Sequence, residues 1–361
     1  MIPTSVSVFF DYQCNFACDH CSVGSSPETK FEMPEERWDR VFEELTTLDT
    51  LQMVCFTGGE VTLHKDRLLD AIERVTDAGI NTRIVTNAWW AHDMKSTHEM
   101  LDDLVEAGLD EINTSYDDFH TEYMEFENVV NMIEGSLKYD ELNAVALACI
   151  IGNEDPDYDL DRMEAEIETR LGRSVEDVGK LHTLEDAAAP MGSGIQLDPS
   201  RYAAIKDVDI GCSDVISTFS IHPDGSVKVC CGHAQFYRPD LTMGNIEDDS
   251  LVDIIENGQN NLVYWLIHEV GPKRLLDRMG ITSDVGYTGI CHACGDLLGE
   301  YRDEFFEYVQ ENRQDIVKND ILLSDSTKQN AERLTENRDE IMRKLNDLDP
   351  DELGSSERVR T

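Results

Sequence analysis

Three cysteines near the start of the chain, Cys14, Cys18 and Cys21, lie in the run FDYQCNFACDHCS with spacing C-x3-C-x2-C. Thiolates are the ligands of iron–sulfur clusters, and in a cubic cluster three of them leave one iron open to another ligand. Such a site can act on what it binds instead of only passing electrons. The spacing also suits part of a zinc site, which usually takes four ligands arriving as two close pairs, and His20 offers a fourth ligand atom. A second group lies in the C-terminal half. Cys212 precedes the run ISTFSIHPDGSVKVCCG, which contains Cys230 and Cys231, and Cys291-His292-Ala293-Cys294 follows as a C-x2-C pair. No cysteine occurs after Cys294. Two separated cysteine groups suit either a cluster or a four-cysteine zinc site.

These residues need elements to position them. The segment QMVCFTGGEVTL reads as a buried strand over 53–57 that ends in Gly58-Gly59-Glu60. Glycines at a strand end let backbone approach a ligand closely, and the carboxylate behind them can hold an amine. Apolar runs at 82–86, 111–114 and 144–151 lead to Asn87, Ser115 and Gly152. Between them, 36–48, 67–78, 97–107 and 129–139 carry apolar residues three and four apart, the helical period. Strands alternating with helices predict a parallel sheet with crossover helices. About six such units precede residue 190.

The paired motifs, Cys14/Cys18/Cys21 with Gly58-Gly59-Glu60, resemble the radical S-adenosylmethionine (SAM) superfamily over roughly residues 5 to 190. The resemblance implies an α/β fold, a partial (βα)6 TIM-like barrel followed by a small α+β auxiliary-cluster domain. It implies a [4Fe–4S] cluster on the three cysteines, with SAM chelating the fourth iron and the GGE strand end touching the SAM amine. Cleavage of SAM would then give a 5′-deoxyadenosyl radical that abstracts hydrogen from substrate. Ligands in such barrels gather at the C-terminal strand ends, so Gly58, Gly59, Glu60, Asn87, Ser115, Asp117, Ile150 and Gly152 are the candidate SAM contacts. Asp155 is the acidic position that the family's fifth-strand pattern would require. Asp117 and Asp118 also read as helix caps. Trp89 and Trp90 read as an active-site wall or a cap on the barrel.

The later pattern, C-x12-G-x4-C and then C-x2-C, resembles the twitch module, a shortened SPASM domain that holds one auxiliary [4Fe–4S] cluster. On that resemblance Cys212, Cys230, Cys291 and Cys294 are its ligands, the spacing after Gly225 selecting Cys230 over Cys231. A complete set of four cysteines would let this cluster accept or relay an electron. That suits net oxidation of a small molecule or modification of a peptide. His222, His233 and His292 are expected in turns or at the surface, and Cys55 and Cys149 as buried thiols, with Cys149 a candidate hydrogen donor. The expected domains are a radical SAM core at 1–190, a twitch/SPASM-like domain at 191–324, and a charged C-terminal helix and tail at 325–361. Segments 219–222 and 226–229 read as strands, and 250–256, 261–278, 297–313 and 326–346 as helices.

Composition sets the surroundings. Asp and Glu number 74 against 30 Lys and Arg, a formal net charge of −44, yet hydrophobic residues make up 40% and the periodicity is clear. That combination argues for a folded protein adapted to high salt and against disorder. A basic stripe to meet phosphates is missing, so nucleic acid is not an expected partner. The start of the chain does not read as a signal peptide, and no apolar run reaches the length of a membrane span. A cytoplasmic enzyme reduced by ferredoxin or flavodoxin is expected. The contrasting reading is a non-catalytic iron–sulfur or zinc-binding redox sensor, against which Gly58-Gly59-Glu60 weighs.

Overall fold

A computed structural model describes residues 1–152, 156–202, 208–283 and 286–316. Short strands, most with alternating or continuous burial, form its centre: β1 (Ser5–Phe9), β2 (Met53–Thr57), β3 (Asn81–Val85), β4 (Glu111–Ser115), β5 (Ala144–Ile151), β6 (Leu181–Ala187), β7 (Thr218–Ile221), β8 (Ser226–Lys228) and β9 (Thr242–Asn245). They make one mixed sheet in the order β6-β5-β4-β3-β2-β1-β7-β8-β9. All pairings from β6 through β7 are parallel, and β8 and β9 are added antiparallel. Because β1 takes β7 as its second neighbour, β1 to β6 form a partial barrel that does not close on itself.

The helices are α1 (Glu35–Leu45), α2 (Lys65–Asp77), α3 (Met94–Glu106), α4 (Phe126–Ser136), α5 (Leu160–Leu171), α6 (Leu251–Gln259), α7 (Leu262–Glu269), α8 (Pro272–Arg278), α9 (Ile290–Leu297) and α10 (Arg302–Ile316). Each crossover helix buries one stripe; α2, for example, buries Leu68, Ala71, Ile72 and Val75, the i, i+3, i+4, i+7 pattern. Asp93 starts α3 with a reciprocal capping box to Ser96, and Gly172 ends α5 at φ 67 in the left-handed region that suits glycine. Two expected helices are interrupted. The run 261–278 breaks into α7 and α8 because Gly271 sits at φ 92 and Pro272 has no N–H to continue the ladder. The run 297–313 spans the end of α9 and most of α10. The expected helix at 326–346 lies outside the described residues. Residues 1–305 form one compact unit, and a second begins at residue 306. Among the described residues no helix is long and apolar enough to cross a membrane.

Strand alternation decides where the site can be. One face of the parallel strands carries Val6, Val8, Val54, Phe56, Ile84, Ile112, Val145 and Leu147, all fully buried. The opposite residues, in register, are Ser7, Cys55, Arg83, Glu111 and Ala144. A TIM barrel ordinarily fills its interior with bulky branched side chains. Here most inner positions are small or polar, Phe9 and Val85 being exceptions, which leaves space.

Candidate active site and auxiliary cysteine site

That space is a cavity of about 510 Å³ lined by Cys14, Cys18 and Cys21, by Gly58, Gly59, Glu60, Asn87, Ser115 and Ile150, and by inner strand residues including Ser7, Cys55, Arg83 and Asn113. The loop after β1 brings in the three cysteines, and the ends of β2 to β5 bring in the rest. Two expected contacts stand elsewhere. Asp117 is 1% exposed and lies behind the wall, its carboxylate accepting from the N–H groups of Phe119 and Ile150 and pairing with His120 at 2.9 Å. Gly152 lies beneath the Phe119 ring, where a Cβ would come within 2.3 Å of a ring carbon. Asp155 lies outside the described residues.

The two glycines after β2 serve a purpose the sequence did not indicate. A Cβ on Gly59 would fall 1.8 Å from the Gln13 carbonyl oxygen, and one on Gly58, at φ 149, would fall 2.5 Å from that of Asp11. The N–H groups of Gly59 and Glu60 donate to those same oxygens at 3.2 and 2.8 Å. The close approach is therefore to the cysteine loop itself, which the strand end clamps. Glu60 is 1% exposed. Its Oε1 accepts from the Thr62 N–H at 3.1 Å, the Thr62 hydroxyl at 2.6 Å and the Thr86 hydroxyl at 2.8 Å, and its Oε2 from the Asn87 N–H at 2.6 Å. Burial pushes this carboxyl up, and those four donors oppose it.

The loop suits thiolate ligands. The Phe16 N–H donates to Cys14 Sγ at 3.4 Å and the Ser25 N–H to Cys21 Sγ at 3.4 Å. Burial pushes the Cys14 thiol up to about 12, so without a metal it stays protonated; a bound cluster would take it as thiolate. His20 Nδ1 and Ser25 Oγ are buried on the cavity wall with no protein partner among the described residues. They are polar atoms that a ligand with donors and acceptors would satisfy. Burial lowers His20 to about 4, so its ring is neutral, and it lies against Phe119 at 4.6 Å. Trp89 donates to Thr62 Oγ1 and Trp90 to Thr86 Oγ1, so both brace the ends of β2 and β3, off the cavity wall.

The later cysteines also converge. Burial pushes the Cys230 thiol up, and the nearby Cys291, Cys212, Cys294 and Cys231 push it further the same way. Backbone N–H groups of Asp214 and Val215 point at Cys212, and those of His233 and Ala234 at Cys291. Gly232 lies so close that a Cβ there would stand 2.6 Å from Cys291 Sγ. Four gathered thiols with N–H donors suit an iron–sulfur cluster. Cys231 is different: it lines the main cavity together with Cys55, and also a second pocket lined by Cys291 and His292. Cys149 was the candidate hydrogen donor, but it is 1% exposed on the outward face of β5 and its Sγ is 3.7 Å from the Tyr158 carbonyl oxygen. Alternation with Val145 and Leu147 turns it away from the cavity, whereas Cys55, expected only as a buried thiol, reaches it. His222 is buried too, bonded to Tyr12 at 2.6 Å and to Ser220 at 3.1 Å, and His233 lines both pockets.

Comparison with known proteins agrees with this geometry. The Radical SAM superfamily profile matches residues 9–164, and the SPASM profile, an iron-sulfur cluster-binding domain, matches 212–295. YydG of Bacillus subtilis (strain 168), which carries a peptide-biosynthesis name, is 25% identical over 323 residues, covering 86% of this chain and 98% of that protein. The PqqA peptide cyclase of Granulibacter bethesdensis is 30% identical over 124 residues, 34% of this chain and 31% of that protein. Among solved structures, anSMEcpe with bound AdoMet superposes at TM-score 0.50 with 15% identity, covering 88% of this chain and all of that one, a likeness of fold. The first matched domain takes a [4Fe–4S] cluster and SAM, the second an auxiliary iron–sulfur cluster, and each falls on a cysteine set built to receive it. The chain thus belongs to the radical SAM superfamily, as an enzyme with a C-terminal SPASM-type module.

Proposed function

We propose that the enzyme alters a residue of a peptide by removing a hydrogen atom from carbon, and that the Cys231 thiol returns one. The observation that carries this reading is Cys231 on the wall of the cavity that also holds Cys14, Cys18 and Cys21. Peptide as the substrate class is supported by the names of YydG and the PqqA peptide cyclase. When bound, the cluster and SAM supply a 5′-deoxyadenosyl radical able to take the first hydrogen. Gly58, Gly59, Glu60, Ser115 and Ile150 would border SAM, while Asp117 would act from behind by fixing the Ile150 N–H. Cys14, Cys18 and Cys21 would hold one cluster; Cys212, Cys230, Cys291 and Cys294 would hold a single auxiliary one, within a module at 191–324 that follows the core at 1–190. That assignment leaves Cys231 as a free thiol, and burial keeps it protonated, pushed up to about 12.

The Cys231 S–H bond breaks and a substrate C–H bond forms. The sulfur then regains one electron from a ferredoxin- or flavodoxin-class protein and one proton from water. The net result is inversion at carbon, without loss of hydrogen. The setting we propose is the cytoplasm of a salt-adapted cell.

The test uses the reconstituted enzyme in deuterated water with dithionite, SAM and short peptides encoded beside its gene. The expected product gains one deuterium at an inverted carbon. Cys231→Ala should still cleave SAM but give no deuterated product, and Cys149→Ala should behave as wild type. A product that has lost two hydrogens and taken up no deuterium would replace this reading with net oxidation through the auxiliary site.

A further inference from the structure

We infer that Asn87 is a positioning residue for the N-terminal iron–sulfur cluster: its side-chain amide donates to the Cys14 sulfur and raises the cluster's reduction potential. The inference rests on Cys14, Cys18 and Cys21 being that cluster's ligands.

Asn87 Nδ2 lies 3.7 Å from Cys14 Sγ and 2.9 Å from Asn15 Oδ1. Its orientation is fixed by what lies at its other end. The Trp89 backbone N–H reaches Asn87 Oδ1 at 3.1 Å. A backbone N–H can only donate, so the amide oxygen must face Trp89 and the NH₂ must face sulfur. Both ends of the side chain are thereby used within the protein.

The backbone around it is built to hold this pose. Ala88 sits at φ 58, a region that residues with a Cβ rarely adopt, and is fully buried. Its N–H donates to Thr86 Oγ1 at 3.1 Å. The Asn87 N–H is taken by Glu60 Oε2 at 2.6 Å, and Glu60 is itself tied down by Thr62 and Thr86. The buried carboxylate after Gly58-Gly59 therefore reaches the Cys14 sulfur through one intervening residue. An N–H directed at a ligand sulfur stabilises the more negative, reduced cluster more than the oxidised one, which is how outer partners tune potential.

The test is a potentiometric titration, read by electron paramagnetic resonance, of the full-length chain reconstituted with iron and sulfide. The Cys14→Ala protein identifies the auxiliary signal to be subtracted. Asn87→Leu removes the donor without adding charge. Asn87→Asp keeps an acceptor for the Trp89 N–H, so the turn survives, but loses the donor and adds a negative charge. In Asn87→Leu the reduced-to-oxidised ratio at a fixed potential should fall about tenfold, a midpoint about 59 mV more negative for a one-electron couple, and Asn87→Asp should lie lower still. Wild-type midpoints in both variants at wild-type iron content would overturn the inference. So would loss of the cluster from both, because a donor that only tunes potential is not needed to hold iron. If Cys14→Ala keeps all its iron, the ligand assignment itself has failed, an outcome separate from the midpoints.

Discussion

Gly232 separates two reasons a chain can need glycine. Its φ is −74, open to any residue, so backbone strain does not explain it. What a side chain would meet does: a Cβ there would stand 2.6 Å from Cys291 Sγ and 4.0 Å from Cys230 Sγ. Gly232→Ala should therefore fold but displace the Cys291 thiolate. We expect it to bind about four fewer irons per chain, the content of one cubic cluster, while keeping the N-terminal cluster and SAM cleavage. Iron and sulfide analysis measures this directly, and full iron content would mean the Cys291 sulfur is not a ligand. The cysteine motifs were legible at this scale because thiolate spacing is itself chemical information. The role of individual thiols was less so. Cys149 and Cys55 differ only in which strand face they occupy, and that could have been read from their neighbours: Cys149 alternates with the fully buried Val145 and Leu147, whereas Cys55 falls between the fully buried Val54 and Phe56. The Phe119 ring over Gly152 leaves no sign in the sequence.

The loop that carries Cys14 depends on the elements at its sides. Asp11, 2% exposed, pairs with His64 from the short 3-10 turn Val61–His64 and gives its carbonyl oxygen to the Gly59 N–H. The hydrogen bond to Asp11 holds His64 above its ordinary value, against the opposing effect of burial. A histidine whose folded pKa is raised binds its proton more tightly when folded. Its contribution to stability is then complete below the unfolded value of about 6.5 and is lost as pH rises through the higher folded value. His64→Gln should cost about 1 kcal/mol near pH 6 and progressively less toward pH 9. Denaturant titrations of both proteins across that range test it; a cost independent of pH would show that the pair contributes shape and no charge. Most of the elements were legible from periodicity. β2 and β5 have the expected bounds, and α1 to α4 are displaced by at most three residues at either end. The α7–α8 break was legible in principle as Gly271-Pro272, but apolar residues continue in helical register across it and concealed it. The connection of β1 to β7 was not legible, because pairing between strands some 210 residues apart leaves no local pattern.

Across the whole molecule, a net charge of −44 means that folding gathers carboxylates that the unfolded chain keeps apart. Many arginines answer this locally: Arg74 meets Asp39 and Asp70, Arg170 meets Glu127 and Glu134, and Arg302 meets Asp240. Added salt acts on both effects with opposite signs. It weakens these exposed pairs, each worth about 0–1 kcal/mol, and it screens the general repulsion. With more than twice as many acidic as basic residues, repulsion is the larger effect, so stability should rise with salt. The shape of the rise separates screening from the exclusion of salt from apolar surface. The Debye length falls from about 10 Å at 0.1 M to about 3 Å at 1 M, so a screening gain is largely complete by about 1 M, whereas exclusion keeps growing with concentration. Thermal unfolding in potassium chloride should therefore show a midpoint that climbs steeply up to about 1 M and then flattens. A flat or falling midpoint over that interval would mean that the arginine pairs outweigh the repulsion, and a steady climb beyond it would assign the gain to burial.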